Sequence, residues 1–229
     1  MIEKKVYIIL PAYNEARIIG SLIEEVRTLY PSFHVVVVDD CSRDTTADQA
    51  KRAGADVIRH SINLGQGAAV KTGITYALRE GAEYLVNIDA DGQHSAAEIP
   101  ILLAPLFDGR ADIVLGSRFL APKSNVPPIR RIVLKAGILF TWFFSGIHLS
   151  DTHNGFRAQT RNAAQKIIIN ENRMAHASEI LHEIVRHALR FCEVPVTVRY
   201  TQYSKQRGQR STNALHIVRR LLWRKMFLE

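Results

Sequence analysis

The chain has 229 residues, 47% hydrophobic and 23% charged, with two cysteines and a net charge of +8. That apolar content excludes a disordered chain, while Cys41 and Cys192, far apart and outside any CxxC spacing, exclude a disulfide framework or a structural zinc site. The charge is concentrated: Arg199 to Glu229 holds eight Lys or Arg against one acid, so an anionic partner would meet the tail.

From the N-terminus, MIEKKVYIIL lacks the long apolar core and small-residue cleavage site of a signal peptide and reads as a first strand, which points to a cytoplasmic protein. Apolar runs at 6–10 (VYIIL), 35–40 (VVVVDD), 56–58 (DVI), 84–88 (YLVNI) and 112–116 (DIVLG) read as buried strands. Between them, EARIIGSLIEEVRTL, TTADQAKRAG, GAAVKTGITYALREG and AAEIPILLAPLF repeat apolar residues every three or four positions, as amphipathic helices do. This alternation predicts an α/β architecture: an open, mostly parallel sheet with helices on both faces.

After Arg118 the alternation stops. APKSNVPP reads as a loop, and the charge-free core of RRIVLKAGILFTWFFSGIHL, Ala136 to Ile147, is shorter than the ~20 apolar residues that span a bilayer. One or two helices are expected over 160–190, then a strand in CEVPVTVRY, a basic loop SKQRGQRS and a final helical pattern from Asn213.

In such sheets ligands settle beyond the carboxyl ends of the strands. Those ends are polar here: PAYNE, DDCSRDTT, DADGQH and GSR. Asp89 and Asp91, two positions apart where a strand ends, can converge on a divalent cation or simply occupy a solvated turn. Mg²⁺ and Mn²⁺ sites commonly use one or two carboxylates and complete the shell with water and phosphate oxygens; Gln93 could add an oxygen and His94 a nitrogen.

Asp40 can accept hydrogen bonds from a nucleobase or ribose, or else hold a turn, and Asp44 is placed to cap the next helix. Gly65 and Gly67 of NLGQGAAVKTG suggest close backbone approach to a ligand and phosphate binding at a helix N-terminus. A dinucleotide fingerprint would need a further glycine at Val70 and a long apolar strand just before, which sets a dehydrogenase aside. His176, His182 and His187 lack the spacing that places ligands on one helix face, and read as packing or surface residues.

PAYNE, VVDDCSRDTT, NLGQGAAVKTG, DADGQH, GSR and DTHNGFR, in this order, resemble the family 2 glycosyltransferases, most nearly the dolichyl- or polyprenyl-phosphate mannose synthase group. The resemblance covers roughly residues 4 to 205. It implies a GT-A (Rossmann-like) catalytic domain over 1–205, a nucleotide-sugar donor, and Mg²⁺ or Mn²⁺; beyond it, residues 206–229 read from their own pattern as a basic amphipathic tail. Pro11, Ala12, Tyr13, Glu15 and Asp40 would line the nucleotide pocket, with Gln66, Asp89, Arg199 and Lys205 also on the donor side. Asp89, Asp91 and Gln93 would surround the metal and diphosphate. Arg118, Arg131 and Lys135 fall where the family gathers positive charge for a lipid phosphate, and Arg199 resembles an arginine that reaches the diphosphate from a mobile loop. Three positions depart from the family pattern: Gln66 for lysine or asparagine, Asn154 for the serine of SGFR, and Gln202 for glycine.

The expected reaction is inverting transfer of a hexose to a polyprenyl phosphate, with GDP-mannose the favoured donor and UDP-glucose the other. A phosphate monoester, with a second pKa of about 6, is already a nucleophile near neutral pH and requires no general base. Asp91, Arg118 and Arg131 then surround the chemistry. A hydroxyl acceptor on a glycan or glycolipid, the alternative, would need a carboxylate base, for which Asp151 is the candidate. The pattern Ala214, Ile217, Val218, Leu221 and Leu222 opposite His216, Arg219, Arg220 and Arg224 predicts an amphipathic helix for peripheral membrane association, directly or through a separate membrane protein. Nucleic acid is not expected, because the strand-end acids would face its phosphates.

Overall fold

The computed structural model describes residues 4–121, 131, 134, 135, 138, 142, 146–152 and 154–199. Lys205, Gln202 and the whole 206–229 tail lie outside the described residues, as does the domain boundary at 205. Seven strands form one sheet: β1 (Val6–Ala12), β2 (His34–Asp39), β3 (Asp56–Arg59), β4 (Tyr84–Asn87), β5 (Ile113–Ser117), β6 (Arg157–Thr160) and β7 (Phe191–Pro195). Their order is β3-β2-β1-β4-β6-β5-β7, and only β6 runs antiparallel to its neighbours.

Helices α1 (Ile19–Leu29), α2 (Thr46–Arg52), α3 (Gln66–Arg79), α4 (Ile99–Phe107), α5 (Arg161–Lys166) and α6 (His176–Arg186) cover both faces. The alternation of side chains along a strand divides the core. Val6, Ile8 and Leu10 of β1 join Ile23 and Val26 of α1 and Leu102 and Leu103 of α4, whereas Tyr7 and Ile9 join Val70 and Ile74 of α3 and Ile180 and Ile184 of α6. Each buried isoleucine or leucine contributes roughly 1.5–3 kcal/mol, so apolar residues at both phases of each strand are what commit it to the interior of a two-sided sheet. Among the described residues, no helix is long and apolar enough to cross a membrane.

The five apolar runs do form strands, and the parallel-dominated sheet is the one expected. Two boundaries differ. The reading of helices over 160–190 beyond DTHNGFR omits β6, whose residues Arg157, Ala158 and Gln159 carry no apolar run because Arg157 and Gln159 on one face of this strand line a cavity. The first helix begins at Ile19 rather than Glu15, since Ala16 and Arg17 are used in a turn that ties strand β1 to the next loop.

Candidate active site

The chain runs outward from β1 to β2 and β3, then crosses back to β4 on the other side of β1. A crevice therefore opens at the carboxyl ends of β1 and β4, bounded by Pro11 and Asp89. A cavity of about 20 Å³, room for one or two waters, extends from it between the sheet and helices α3 and α6.

The loops after β1 and β2 are knitted together. Asn14 N donates to Ser42 Oγ at 2.8 Å, Arg43 N donates to Asn14 Oδ1 at 2.7 Å, and Glu15 N donates to Thr46 Oγ1 at 2.8 Å. This leaves Tyr13 exposed over the crevice and buries Glu15. Asp44 accepts from Thr46 N at 3.0 Å, holding the turn that leads into α2, whose N-cap is Thr45 rather than the expected Asp44.

Asp40 is buried and accepts from Leu64 N at 2.9 Å and Gly65 N at 2.7 Å, with His60 Nδ1 2.8 Å away. Through these bonds Asp40 shapes the loop that enters α3. The glycines of that loop have a different use from the expected phosphate site. A β-carbon on Gly67 would meet the Glu171 carbonyl oxygen at 2.1 Å, one on Gly65 the Asn172 carbonyl oxygen at 2.5 Å, and Ala68 N donates to that Asn172 oxygen. Segment 171–173 thus covers the first turn of α3, and the glycines make room for backbone rather than for an anion.

With α3 held this way, Gln66 at its start reaches across and donates from Nε2 to Asp89 Oδ1 at 2.6 Å. Asp91 accepts from Gln93 N at 3.0 Å, and Gln93 O accepts from Arg199 N at 2.9 Å, so DADGQH and Arg199 share one corner of the site. The ring of His94 is buried 4.9 Å from that of Phe156, a core residue just before β6. Burial, with Arg118 adding to it, lowers its pKa to about 3, so the ring is neutral.

Arg118 is 5% exposed and pairs with Asp151, whose side chain is 1% exposed: Nε donates to Oδ2 at 2.6 Å, and Arg118 N to the same oxygen at 3.1 Å. Glu193 holds the turn beneath by accepting from Ser150 N, Ser150 Oγ and Asp151 N. Arg131 and Lys135 are helical and exposed.

Asp89 has its pKa raised to about 7, first by burial and then by the neighbouring Asp91, against the opposing pull of Arg157, Arg118 and Gln66. Two carboxylates that repel each other at the mouth of a crevice suit a divalent cation. Among the described residues no group of three or more His, Cys, Asp or Glu assembles to hold a metal, so water and ligand oxygens would complete such a shell. Asp89 and Asp91 are the groups that fit.

Arg157 and Gly155 were not singled out from sequence, although both lie in DTHNGFR. Only the antiparallel pairing of β6 with β4 reveals that they face Asp89.

A crossover crevice flanked by paired carboxylates and buried arginines, on this sheet, defines a glycosyltransferase of the GT-A fold. The chain matches Glycosyl transferase family 2 over residues 7–168 and belongs to that family. It is 32% identical to the polyprenol monophosphomannose synthase of Mycolicibacterium smegmatis over 85% of this chain and 77% of that one. It is 29% identical to the UDP-N-acetylglucosamine–dolichyl-phosphate N-acetylglucosaminyltransferase of Methanococcus voltae over 99% of this chain and 98% of that one. In fold it is similar to glucosyl-3-phosphoglycerate synthase from Mycobacterium tuberculosis, solved with Mn²⁺ and UDP-glucose, with a TM-score of 0.74 and 18% identity over 96% of this chain and 77% of that one.

Proposed function

We propose that this glycosyltransferase moves a hexose, with inversion, from a nucleotide-sugar donor to a polyprenyl phosphate at the cytoplasmic face of a membrane. The relatives' names support the lipid-phosphate acceptor, and the observation that carries it in this chain is the Arg118–Asp151 pair. The one carboxylate suggested as a base for a hydroxyl acceptor is buried and already accepts two hydrogen bonds from Arg118. A phosphate acceptor needs no such base.

On this reading Asp151 orients Arg118, and Arg118 with Arg131 holds the attacking phosphate in line. Asp89 and Asp91 would hold Mg²⁺ or Mn²⁺, which supplies charge neutralisation to the departing nucleotide diphosphate. Arg199, tied through its backbone to Gln93, brings a further cation to the diphosphate side. Pro11, Ala12, Tyr13, Glu15 and Asp40 form the nucleotide wall, and Lys205 and the 206–229 tail serve the donor side and the membrane surface. GDP-mannose is the donor its motifs favour, UDP-glucose the second, and a relative named for a UDP-linked amino sugar adds UDP-N-acetylglucosamine to the set.

The test is incubation of the purified enzyme with each of these donors, Mn²⁺ and a polyprenyl phosphate, scoring for lipid-linked sugar released by mild acid. No lipid-phosphate product with any donor would remove this reading, and sugar transfer to a hydroxyl would favour the alternative.

A further inference from the structure

Helix α6 buries two glutamates among its apolar residues. Glu179 is 8% exposed and Glu183 4%, on a helix whose Ile180, Leu181 and Ile184 belong to the core. Residues four apart share a helix face, and both carboxylates reach the chain that leads into the helix. Glu183 Oε2 accepts from Ile168 N at 3.3 Å, and Glu179 Oε2 accepts from Asn170 N and Glu171 N, each at 2.9 Å. Glu183 also pairs with Arg186 and His187, whereas Glu179, among the described residues, forms no ion pair. Burying a carboxylate is unfavourable unless it is hydrogen-bonded, so Glu179 and the amides of 170 and 171 fix one another in place.

The other side of that segment meets the active site. Helix α3 has no side-chain cap: Gly65 stands at its N-cap, and the amide of Ala68 in its first turn donates instead to Asn172 O at 3.1 Å. Glu171 is thus held at its N–H by Glu179 and presents its carbonyl oxygen to Gly67. Gln66, between Gly65 and Gly67, donates to Asp89 Oδ1. Hydrogen bonds and close backbone contacts therefore run from Glu179 through 171–172 and the first turn of α3 to Asp89.

We propose that Glu179 is a positioning residue for sugar transfer: by fixing residues 170–172 it caps α3 and keeps Gln66 within reach of Asp89. It touches neither donor nor acceptor. The inference rests on the donor-side role proposed for Asp89 and deepens it.

Two measurements on the full chain test it. Hydrogen–deuterium exchange reads the structural link without substrate: in Glu179→Ala the amide of Ala68 should exchange about tenfold faster or more, with β1 and β4 unchanged. Steady-state kinetics with Mn²⁺, polyprenyl phosphate and whichever of GDP-mannose, UDP-glucose and UDP-N-acetylglucosamine the wild type uses read the function. Glu179→Ala should lower kcat/KM for the donor by about tenfold or more and leave the acceptor KM within about twofold. Glu179→Gln, which keeps an acceptor oxygen, should return donor kcat/KM to within about threefold of the wild type. In a Gln66→Ala background the Glu179→Ala change should cost less than about twofold, because the side chain it acts through is gone. A merely structural glutamate would give the same fold-loss with Gln66 present and absent. Should Glu179→Ala fail to fold, Glu179→Asp, which keeps the charge but withdraws it by a methylene, carries both measurements with about threefold effects expected. Unchanged exchange at Ala68, or equal kinetic losses with and without Gln66, would overturn the proposal while leaving the transferase reading intact. A wild type that transfers no sugar from any of the three donors would overturn that reading and the proposal with it.

Discussion

Gly155 lies so close to Asp89 that a β-carbon built on it would sit 2.3 Å from Asp89 Oδ2 and 2.6 Å from the carboxyl carbon. No side chain fits there without moving the carboxylate, because contacts of that length are strongly repulsive. Gly155→Ala should therefore push Asp89 off its Gln66 hydrogen bond and away from Asp91. We expect transferase activity to fall by about a hundredfold or more, since misplacement by about an ångström costs that much. The far-ultraviolet spectrum should stay that of the wild type. Activity within threefold of the wild type would show that the carboxylate has slack the structure does not display.

The Arg118–Asp151 pair gives a second prediction. Both side chains are almost wholly buried, so removing one leaves the other charged and uncompensated, typically at a cost of about 3–5 kcal/mol. Asp151→Ala should lower the melting temperature by roughly 6 °C or more, since each kcal/mol shifts Tm by about 2–4 °C in a domain of this size. Where protein survives, the acceptor KM should rise, because Arg118 has lost its orienting partner. If Asp151 were instead a base for a hydroxyl acceptor, the KM would hold, kcat would collapse, and the acidic limb of its pH profile would vanish.

How far such a site can be read from sequence depends on where its information lies. Asp89, Asp91 and the β1 and β2 loops announce themselves, because each follows an apolar run that commits a strand and leaves its polar end at the sheet's edge. Asp89 and Gln66 are 23 residues apart, yet both belong to ordered motifs, and the structure joins them. Arg157 and Gly155 are different. Their meaning depends on β6, a four-residue strand with two polar side chains facing a cavity, and no periodicity marks a strand of that kind. Gly65 and Gly67 at the start of α3 show the opposite failure: a pattern that reads as a phosphate cradle serves a backbone crossing from 171–173, a contact over 100 residues away in the chain.

Glu98, at the end of the 3₁₀ turn Ala96–Glu98, accepts from Thr197 N with both carboxylate oxygens, at 2.9 and 3.1 Å. Two residues later Arg199 N donates to Gln93 O, so Glu98 anchors the segment that carries Arg199 beside the DADGQH loop. Glu98→Ala should release that segment at a cost of about 1.5–3 kcal/mol, the worth of a hydrogen bond to a charged group. We expect the donor KM to rise at least fivefold with a smaller change in kcat, and Glu98→Gln, which keeps an acceptor oxygen, to recover most of the loss. Steady-state kinetics with varied donor decide it; an unchanged donor KM in the alanine variant would detach Arg199 from donor binding.

His176 supplies a pH-dependent prediction. Burial, and then the charge of Arg157, lower its pKa to about 4, while its Nδ1 lies 2.7 Å from the Arg173 carbonyl oxygen, a bond the neutral ring makes as donor. In the unfolded chain the ring protonates near its ordinary value of about 6.5. Below that pH the unfolded state holds a proton the folded state refuses, so the stability this residue contributes is full above 6.5 and drains away as pH falls toward 4. The slope is about 1.4 kcal/mol per pH unit. Asp89, raised to about 7 and lining the same cavity, titrates in this window with the opposite sign, because its folded form takes up the proton first. A single stability curve would therefore hide both effects, and the comparison must be between the wild type and His176→Asn, which retain Asp89 and Arg157 alike. Urea unfolding of the two proteins at pH 7.5 and 4.5 should show the wild type losing about 2 kcal/mol relative to the variant over that interval. Parallel losses in both proteins would mean that the folded ring takes up its proton near the ordinary value, and that the cavity beside Arg157 is wet enough to solvate it.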